Sequence, residues 1–311
     1  MNPIIVIGGS GFIGRNLCEY FSKKTTVYNC SRSCPSRLFN NEFYIKFDAT
    51  YCDFETINNL VGEKQVSAVV NLAARSIVKD CAVNPTGAFA SQINPTLIAL
   101  HTLFARGSDH KVILFETDKV YGRQSPADKL TDESAPLLGA TPYEFSKVMA
   151  SQIADFFKSD FEKRIVRLRP VNVFGPFERN WSRIVPRTIN NIIRGEAPII
   201  YDDVGTFQRG YIFSRDIAKA TDLLINKDTE SDVYNISPDN LISVKEIIDL
   251  ISELMIDYSP SKPITLAKKV EYDEIPVQRI DGSRFAREFK FGFSSIEEAL
   301  KTTITYYTDG I

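Results

Sequence analysis

The sequence predicts an α/β chain built on a doubly wound parallel sheet, with a smaller C-terminal lobe. Three observations carry this. Short apolar, β-branched runs alternate with amphipathic helical stretches through the first half. A glycine cluster, Gly8-Gly9-Ser10-Gly11-Phe12-Ile13-Gly14, stands between the first such run and the first helix. Beyond Pro170 the alternation breaks down, and Pro176, Pro186 and Pro198 punctuate shorter elements.

Taken in order, Ile4 to Ile7 is the first strand and Phe12 to Phe21 the helix after it. Thr26 to Tyr28 makes strand two, and Phe43 to Phe47 strand three. Ala68 to Val70, Val112 to Phe115 and Arg164 to Leu168 continue the series. Thr141-Pro142-Tyr143-Glu144 is a capping box with Pro at the first helical position, so a helix runs from there to about Phe157. Ser243-x-x-Glu246 and Ser295-x-x-Glu298 start two later helices. The expected division is a nucleotide-binding half over 1–170, rejoined by part of 209–235, and a lobe over 171–311.

Composition excludes several classes. With 37 Lys and Arg against 39 Asp and Glu, the net charge of −2 offers no footprint for nucleic acid or a membrane surface. No apolar run approaches the ~18 residues of a spanning helix. The first strand begins at about Pro3, which leaves no room for a signal peptide and points to a cytoplasmic location. The chain has two His and five Cys, at 18, 30, 34, 52 and 81. That set argues against a His-based metal site and for incidental thiols in a reducing compartment.

Glycines between a strand and a helix let the backbone approach a pyrophosphate, which then sits on the helix N-terminus. Gly8, Gly11 and Gly14, with Phe12 and Ile13, are therefore candidates to hold a dinucleotide. An acid ending strand two would accept from the ribose 2′-hydroxyl of NAD. Tyr28-Asn29-Cys30-Ser31-Arg32 has none, and a hydroxyl beside a guanidinium suits a 2′-phosphate. NADP is expected first, through Ser31 and Arg32 with Arg37 a weaker candidate, and NAD second. Asp48, after strand three, either caps the adenine amino group or starts a turn.

The reaction is written in Thr117-Asp118-Lys119-Val120-Tyr121-Gly122, with Tyr143 and Lys147 further on. Tyr143 and Lys147 are four apart and share a helix face. A phenol with a pKa near 10 becomes a usable base when an ammonium and an oxidised nicotinamide both favour its phenolate. Tyr20 and Lys24 have the same spacing but read as surface residues at a helix end.

The order of these pieces resembles the extended short-chain dehydrogenase/reductase family, the nucleotide-sugar epimerases and dehydratases. The resemblance covers nearly the whole chain. It runs through the glycine loop, Asn71-Leu72-Ala73-Ala74, Asn94-x-Thr96-Leu97, Thr117-x-x-Val120-Tyr121-Gly122 and Tyr143-x-x-x-Lys147. It continues through Arg169-Pro170-x-Asn172-Val173-Phe174-Gly175-Pro176, Gln208-Arg209-Gly210-Tyr211-Ile212, Val233-Tyr234-Asn235-Ile236 and Arg279-x-Asp281. It implies a Rossmann-type sheet with a substrate-binding lobe, a nucleotide-diphosphate sugar as substrate, and Leu72, Ala73 and Ala74 along the cofactor. Tyr143 is then the base at the sugar hydroxyl, Lys147 holds the cofactor ribose, and Thr117 bonds the same hydroxyl. Asn172 meets the substrate phosphate, while Arg209 and Arg279 clamp the diphosphate. A homodimer pairing helices near 86–106 and 143–158 is implied as well.

Asp118-Lys119 occupies a slot where simple epimerases of the family carry small residues. An acid there protonates a departing C6 hydroxyl, and a base beside it takes the C5 proton, which resembles the 4,6-dehydratases. For Lys119 to serve, its pKa must fall well below ~10.4. The alternative is an ion pair supporting the loop. Glu116 departs from the family's small residue, and Arg169 to Pro176 looks like the epimerase and reductase branches. Epimerase, 4-keto-sugar reductase and a non-catalytic nucleotide sensor therefore stand as alternatives.

Overall fold

The computed structural model describes residues 2–105, 107, 109–124, 129–161, 164–201, 206–238, 241–258, 262–267 and 275–309. The first elements are β1 (Ile4–Ile7), α1 (Phe12–Phe21), β2 (Val27–Ser31), β3 (Glu42–Lys46), α2 (Phe54–Lys64), β4 (Ala68–Asn71), α3 (Val78–Val83) and α4 (Pro85–His101). Then come β5 (Lys111–Phe115), β6 (Leu130–Thr131), α5 (Pro142–Lys158), β7 (Ile165–Pro170), β8 (Asn172–Phe174), α6 (Ile184–Ile193), β9 (Ile199–Tyr201) and β10 (Gln208–Phe213). The last are α7 (Ser214–Asn226), β11 (Val233–Ile236), β12 (Leu241–Ser243), α8 (Val244–Leu254), β13 (Thr265–Ala267), β14 (Arg279–Ile280), α9 (Ser283–Phe289) and α10 (Ile296–Thr308).

Seven parallel strands form the main sheet in the order β11-β7-β5-β4-β1-β2-β3. Helices cover both faces, which is why its central strands read as continuous apolar runs. Ile4, Val6, Val70, Ile113, Val166 and Leu168 pack on one side, and Ile5, Ile7, Val69, Val112, Leu114 and Ile165 on the other. The order reverses direction between β1 and β4, and ligands of such sheets lie at that switch point, beyond the strands' carboxyl ends.

β2 runs on to Ser31, three residues past the expected Tyr28, because β1 and β3 both continue to pair with it, Ile7 opposite Cys30 and Lys46 opposite Ser31. The segment 209–235 divides. β10 pairs parallel with β8 and antiparallel with β12 in a separate three-stranded sheet. α7 lies against α1, where Tyr20 donates to Asp222 at 3.0 Å, and β11 pairs with β7. α9 also returns to the main sheet, packing Phe285 and Phe289 on Tyr234. A third apolar cluster, from α6, β10, α8 and α10, holds the lobe together. The capping boxes at Thr141 and Ser243 both form, and Ser295 caps α10.

Candidate active site

The glycine loop is closely packed at three positions, against the segment after β4, against β2 and against itself. An added Cβ would meet Ala73 N at 2.9 Å from Gly8, Asn29 Oδ1 at 2.5 Å from Gly9, and Gly8 O at 2.3 Å from Gly14. Gly8 also has φ +88°, a conformation that favours glycine. Gly11 is different. It is exposed, and a Cβ there would meet only Gly8 O, at 3.3 Å. It starts α1 without a side-chain cap and with no acid in the first turn. An open glycine at an uncapped helix N-terminus fits a pyrophosphate laid across it. Phe12 and Ile13, half-buried, follow in that first turn. Leu72 and Ala73 lie across from Gly8, with Leu72 N–H donating to Ile7 O at 2.9 Å and Ala73 N–H to Asn71 Oδ1 at 3.1 Å. Ala74, next along, is half-buried.

At the ribose end both candidate side chains bond within the protein, and of the two readings of Asp48 the turn forms. Ser31 Oγ, besides donating to Asn29, accepts from Ser10 N–H at 3.0 Å, so the hydroxyl braces the glycine loop. Asp48 accepts from Thr50 N at 3.0 Å and Thr50 Oγ1 at 2.7 Å and starts a short turn. Burial pulls its pKa up, but the Thr50 bonds and the Arg32 charge outweigh this and lower it. Arg32 is exposed, and Arg37 is exposed while its carbonyl accepts from Arg15 Nη2 at 2.9 Å.

Thr117, Asp118 and Lys119 turn sharply off the carboxyl end of β5. Thr117 caps that turn, accepting from Lys119 N–H at 3.3 Å, and its hydroxyl donates to Asp118 Oδ1 at 3.1 Å. Burial pushes the Asp118 carboxyl above its ordinary range, opposed by Lys119, Thr117 and Arg209. Tyr143, on the first turn of α5, is buried beside Cys81 and Ala88. Burial lifts its pKa to about 12, while Thr117 and the Arg183 charge pull it down. Lys147, one turn on, donates to Phe115 O at 2.9 Å. Burial lowers its pKa to about 8 against the opposing charge of Glu116. Strand end and capped helix thus bring Thr117, Asp118, Tyr143 and Lys147 together. Tyr20 and Lys24, by contrast, bond each other and Asp222 at the remote end of α1.

From the smaller sheet, Asn172 opens β8, half-buried, and Arg209 on β10 bonds Gln208 O at 2.9 Å and Pro276 O at 3.0 Å. Arg279 is exposed and lines a hollow with Tyr121, Lys129 and Gln278. Three residues here escaped the sequence reading. Gln278 contacts both Asp118 and Lys119, Arg183 acts on Tyr143, and Asn235 accepts from Tyr121 OH at 2.7 Å. Only the Val-Tyr-Asn-Ile signature hinted at the last. Among the described residues no group of three His, Cys, Asp or Glu side chains is placed to hold a metal ion.

Residues 4–237 match the model of the NAD dependent epimerase/dehydratase family. The chain belongs to this family. Among curated members, it is 26% identical over 284 residues to a dTDP-glucose 4,6-dehydratase of Haemophilus influenzae, covering 85% of this chain and 82% of that protein. Among solved structures, a UDP-glucose 4-epimerase of Thermotoga maritima in complex with UDP-glucose has a TM-score of 0.87 at 23% identity, covering 99% of both chains. A dTDP-glucose 4,6-dehydratase of Bacillus anthracis in complex with NAD has a TM-score of 0.84 at 23% identity, covering 99% of this chain and 97% of that one. In this epimerase/dehydratase chain the carboxyl ends of β1, β4 and β5 lie side by side along one edge of the parallel sheet. The family and the glycine loop at the switch point agree on a nicotinamide cofactor.

Proposed function

We propose that the chain is a nicotinamide-dependent nucleotide-sugar 4,6-dehydratase, with 1–170 and the returning segments holding the cofactor and the remainder of 171–311 the nucleotide sugar. The observation that carries the choice of dehydration is Asp118, a buried carboxyl with a raised pKa, next to Lys119 and bonded to Thr117. A nicotinamide held at the glycine loop and by Lys147 would supply the hydride acceptor for sugar C4 and the hydride donor for C6. Tyr143 takes the C4 hydroxyl proton while Thr117 holds the same oxygen, and Lys147 binds the cofactor ribose and favours the phenolate. With C4 a ketone, the C5 proton is acidic. Lys119 takes it, the C5–H electron pair becomes the C5=C6 bond, and the C6 hydroxyl leaves as water with the Asp118 proton; Lys119 returns its proton to C5 as hydride reaches C6. Asn172, Arg209 and Arg279 receive the phosphates.

The NADP expectation retains Arg32 and the weaker Arg37, while the Ser31 hydroxyl is engaged by Ser10 and Asn29. NAD is therefore the cofactor to test first. Two copies pairing through α4 and α5 complete the reading, supported by exposed Phe145 and Phe156 on α5. A 4-epimerase is the second reading, favoured by Lys119 Nζ already being bonded to Gln278 Oε1 at 2.8 Å, as a loop support would be.

The test is a mass-spectrometric panel of nucleotide sugars with NAD, with NADP and with NADPH. A product lighter by one water, without net cofactor change, is expected. An unaltered mass with inverted C4 means epimerase, and consumption of the reduced cofactor means reductase. Asp118→Asn with Lys119→Ala releasing water at the normal rate would sink the dehydratase assignment.

A further inference from the structure

Gln278 sits 160 positions from Asp118 in sequence, yet its buried side chain grips both halves of the Asp118-Lys119 pair. Its Oε1 accepts from Lys119 Nζ at 2.8 Å, and its Nε2 donates to the Asp118 backbone carbonyl at 3.2 Å. The amide has one orientation here, because an amine can donate to Oε1 and a carbonyl can only accept from Nε2. Its own backbone is held on both sides. Gln278 N–H donates to Gln208 O at 3.4 Å and Gln208 N–H to Pro276 O at 2.9 Å. Immediately after it, Arg279 and Ile280 pair with Leu130 and Thr131.

We propose that Gln278 is a positioning residue that holds Lys119 and Asp118 as one unit and ties them to the lobe strand carrying Arg279. This rests on the dehydratase reading. With one N–H of Lys119 directed into Oε1, the amide fixes where Nζ sits when, as the neutral amine, it takes the C5 proton. The Asp118 carbonyl, bound from the same side chain, keeps the neighbouring carboxyl in register for the C6 oxygen. A diphosphate drawn onto Arg279 engages the residue next to Gln278, so substrate binding and the elimination groups move together. Among the described residues, the other charged and titratable groups at this corner include Arg209, which acts on Asp118, with Lys129, Arg279 and Tyr121 around the hollow and Tyr143 across from Asp118.

Gln278→Ala and the isosteric Gln278→Glu test this in the full-length protein, with melting temperature measured alongside. For Gln278→Ala we expect kcat for water release to fall about ten- to a hundredfold with KM little changed. Single-turnover reduction of the nicotinamide by the sugar should persist. In Gln278→Glu the new carboxylate favours the Lys119 ammonium, so the acidic limb of the water-release profile moves to higher pH. Reactivity of Lys119 toward acetic anhydride, followed by peptide mass spectrometry without substrate or cofactor, should rise at correspondingly higher pH. Normal kcat in Gln278→Ala, equal loss of both half-reactions, or an unmoved Lys119 labelling profile in Gln278→Glu each overturns the proposal. If the wild type releases no water, the dehydratase reading falls, while the labelling profile still decides whether Gln278 governs Lys119.

Discussion

Glu116 and Arg169 form an ion pair at 2.6 Å with both side chains buried, directly behind the strand end that presents Thr117. Arg169 also donates to Tyr121 OH at 3.0 Å and Ser151 Oγ at 3.1 Å, while Glu116 Oε1 has no hydrogen-bond partner in the structure. The residue that departs from the family pattern is thus the anion of a cationic neighbourhood comprising Arg167, Arg169 and Lys147.

Removing that anion has two expected effects. Glu116→Gln leaves Arg169 buried without its counter-charge, at a stability cost of about 3 kcal/mol. It also withdraws the charge that raises the Lys147 pKa, so Lys147 loses its proton below about 8. The alkaline limb of substrate oxidation should then move to lower pH. Chemical denaturation and a pH–rate profile check the two separately, and Glu116→Asp should restore the second in part.

Arg279 and Arg209 should respond differently to truncation. Arg279 is exposed, so Arg279→Ala is expected to raise KM for the nucleotide sugar about tenfold with kcat and melting temperature retained. Arg209 is buried and joins β10 to Pro276, so Arg209→Ala should lower the melting temperature as well. Steady-state kinetics with thermal melts separate the two.

Acid should weaken the fold through His110. Burial, aided by Arg164, lowers its pKa from 6.5 to about 4 against the pull of Asp109. The folded state therefore binds this proton more weakly than the unfolded chain, and Thr102 Oγ1 at 2.8 Å from Nε2 leaves Nδ1 buried without a partner. The stabilisation is complete above pH 6.5 and is lost as the pH falls through 4, at most about 3 kcal/mol. His110→Gln should flatten this part of the stability–pH curve relative to wild type.

Phe145 and Phe89 stack edge to face across α5 and α4, and Phe156 stands 77% exposed further along α5. If two copies pair there, Phe145→Glu with Phe156→Glu should give a monomer by light scattering with a normal circular dichroism spectrum. A monomeric wild type would refute the pairing.

What was legible in the sequence was local. The glycine loop, the two capping boxes and the i,i+4 spacing of Tyr143 and Lys147 each depend on a few consecutive residues. What was not legible was which polar side chains the fold had already engaged. Ser31 and Asp48 looked available for a cofactor, but short hydroxyl and carboxylate side chains bond nearby groups first. Gln278 carries no motif, and its meaning arises only where β14 meets the loop after β5. The same holds for β10, whose apolar run could have joined either sheet and whose choice depends on β8 leaving the main sheet after Pro170.

The last strand of the main sheet, β11, and the helix that packs on it, α9, come from the final third of the chain. During synthesis the β7 edge therefore waits, unpaired, until more than sixty further residues have been added. Helper proteins that shield strand edges have their task at that interval, and a stop codon before Val233 would leave a sticky intermediate instead of a smaller working enzyme.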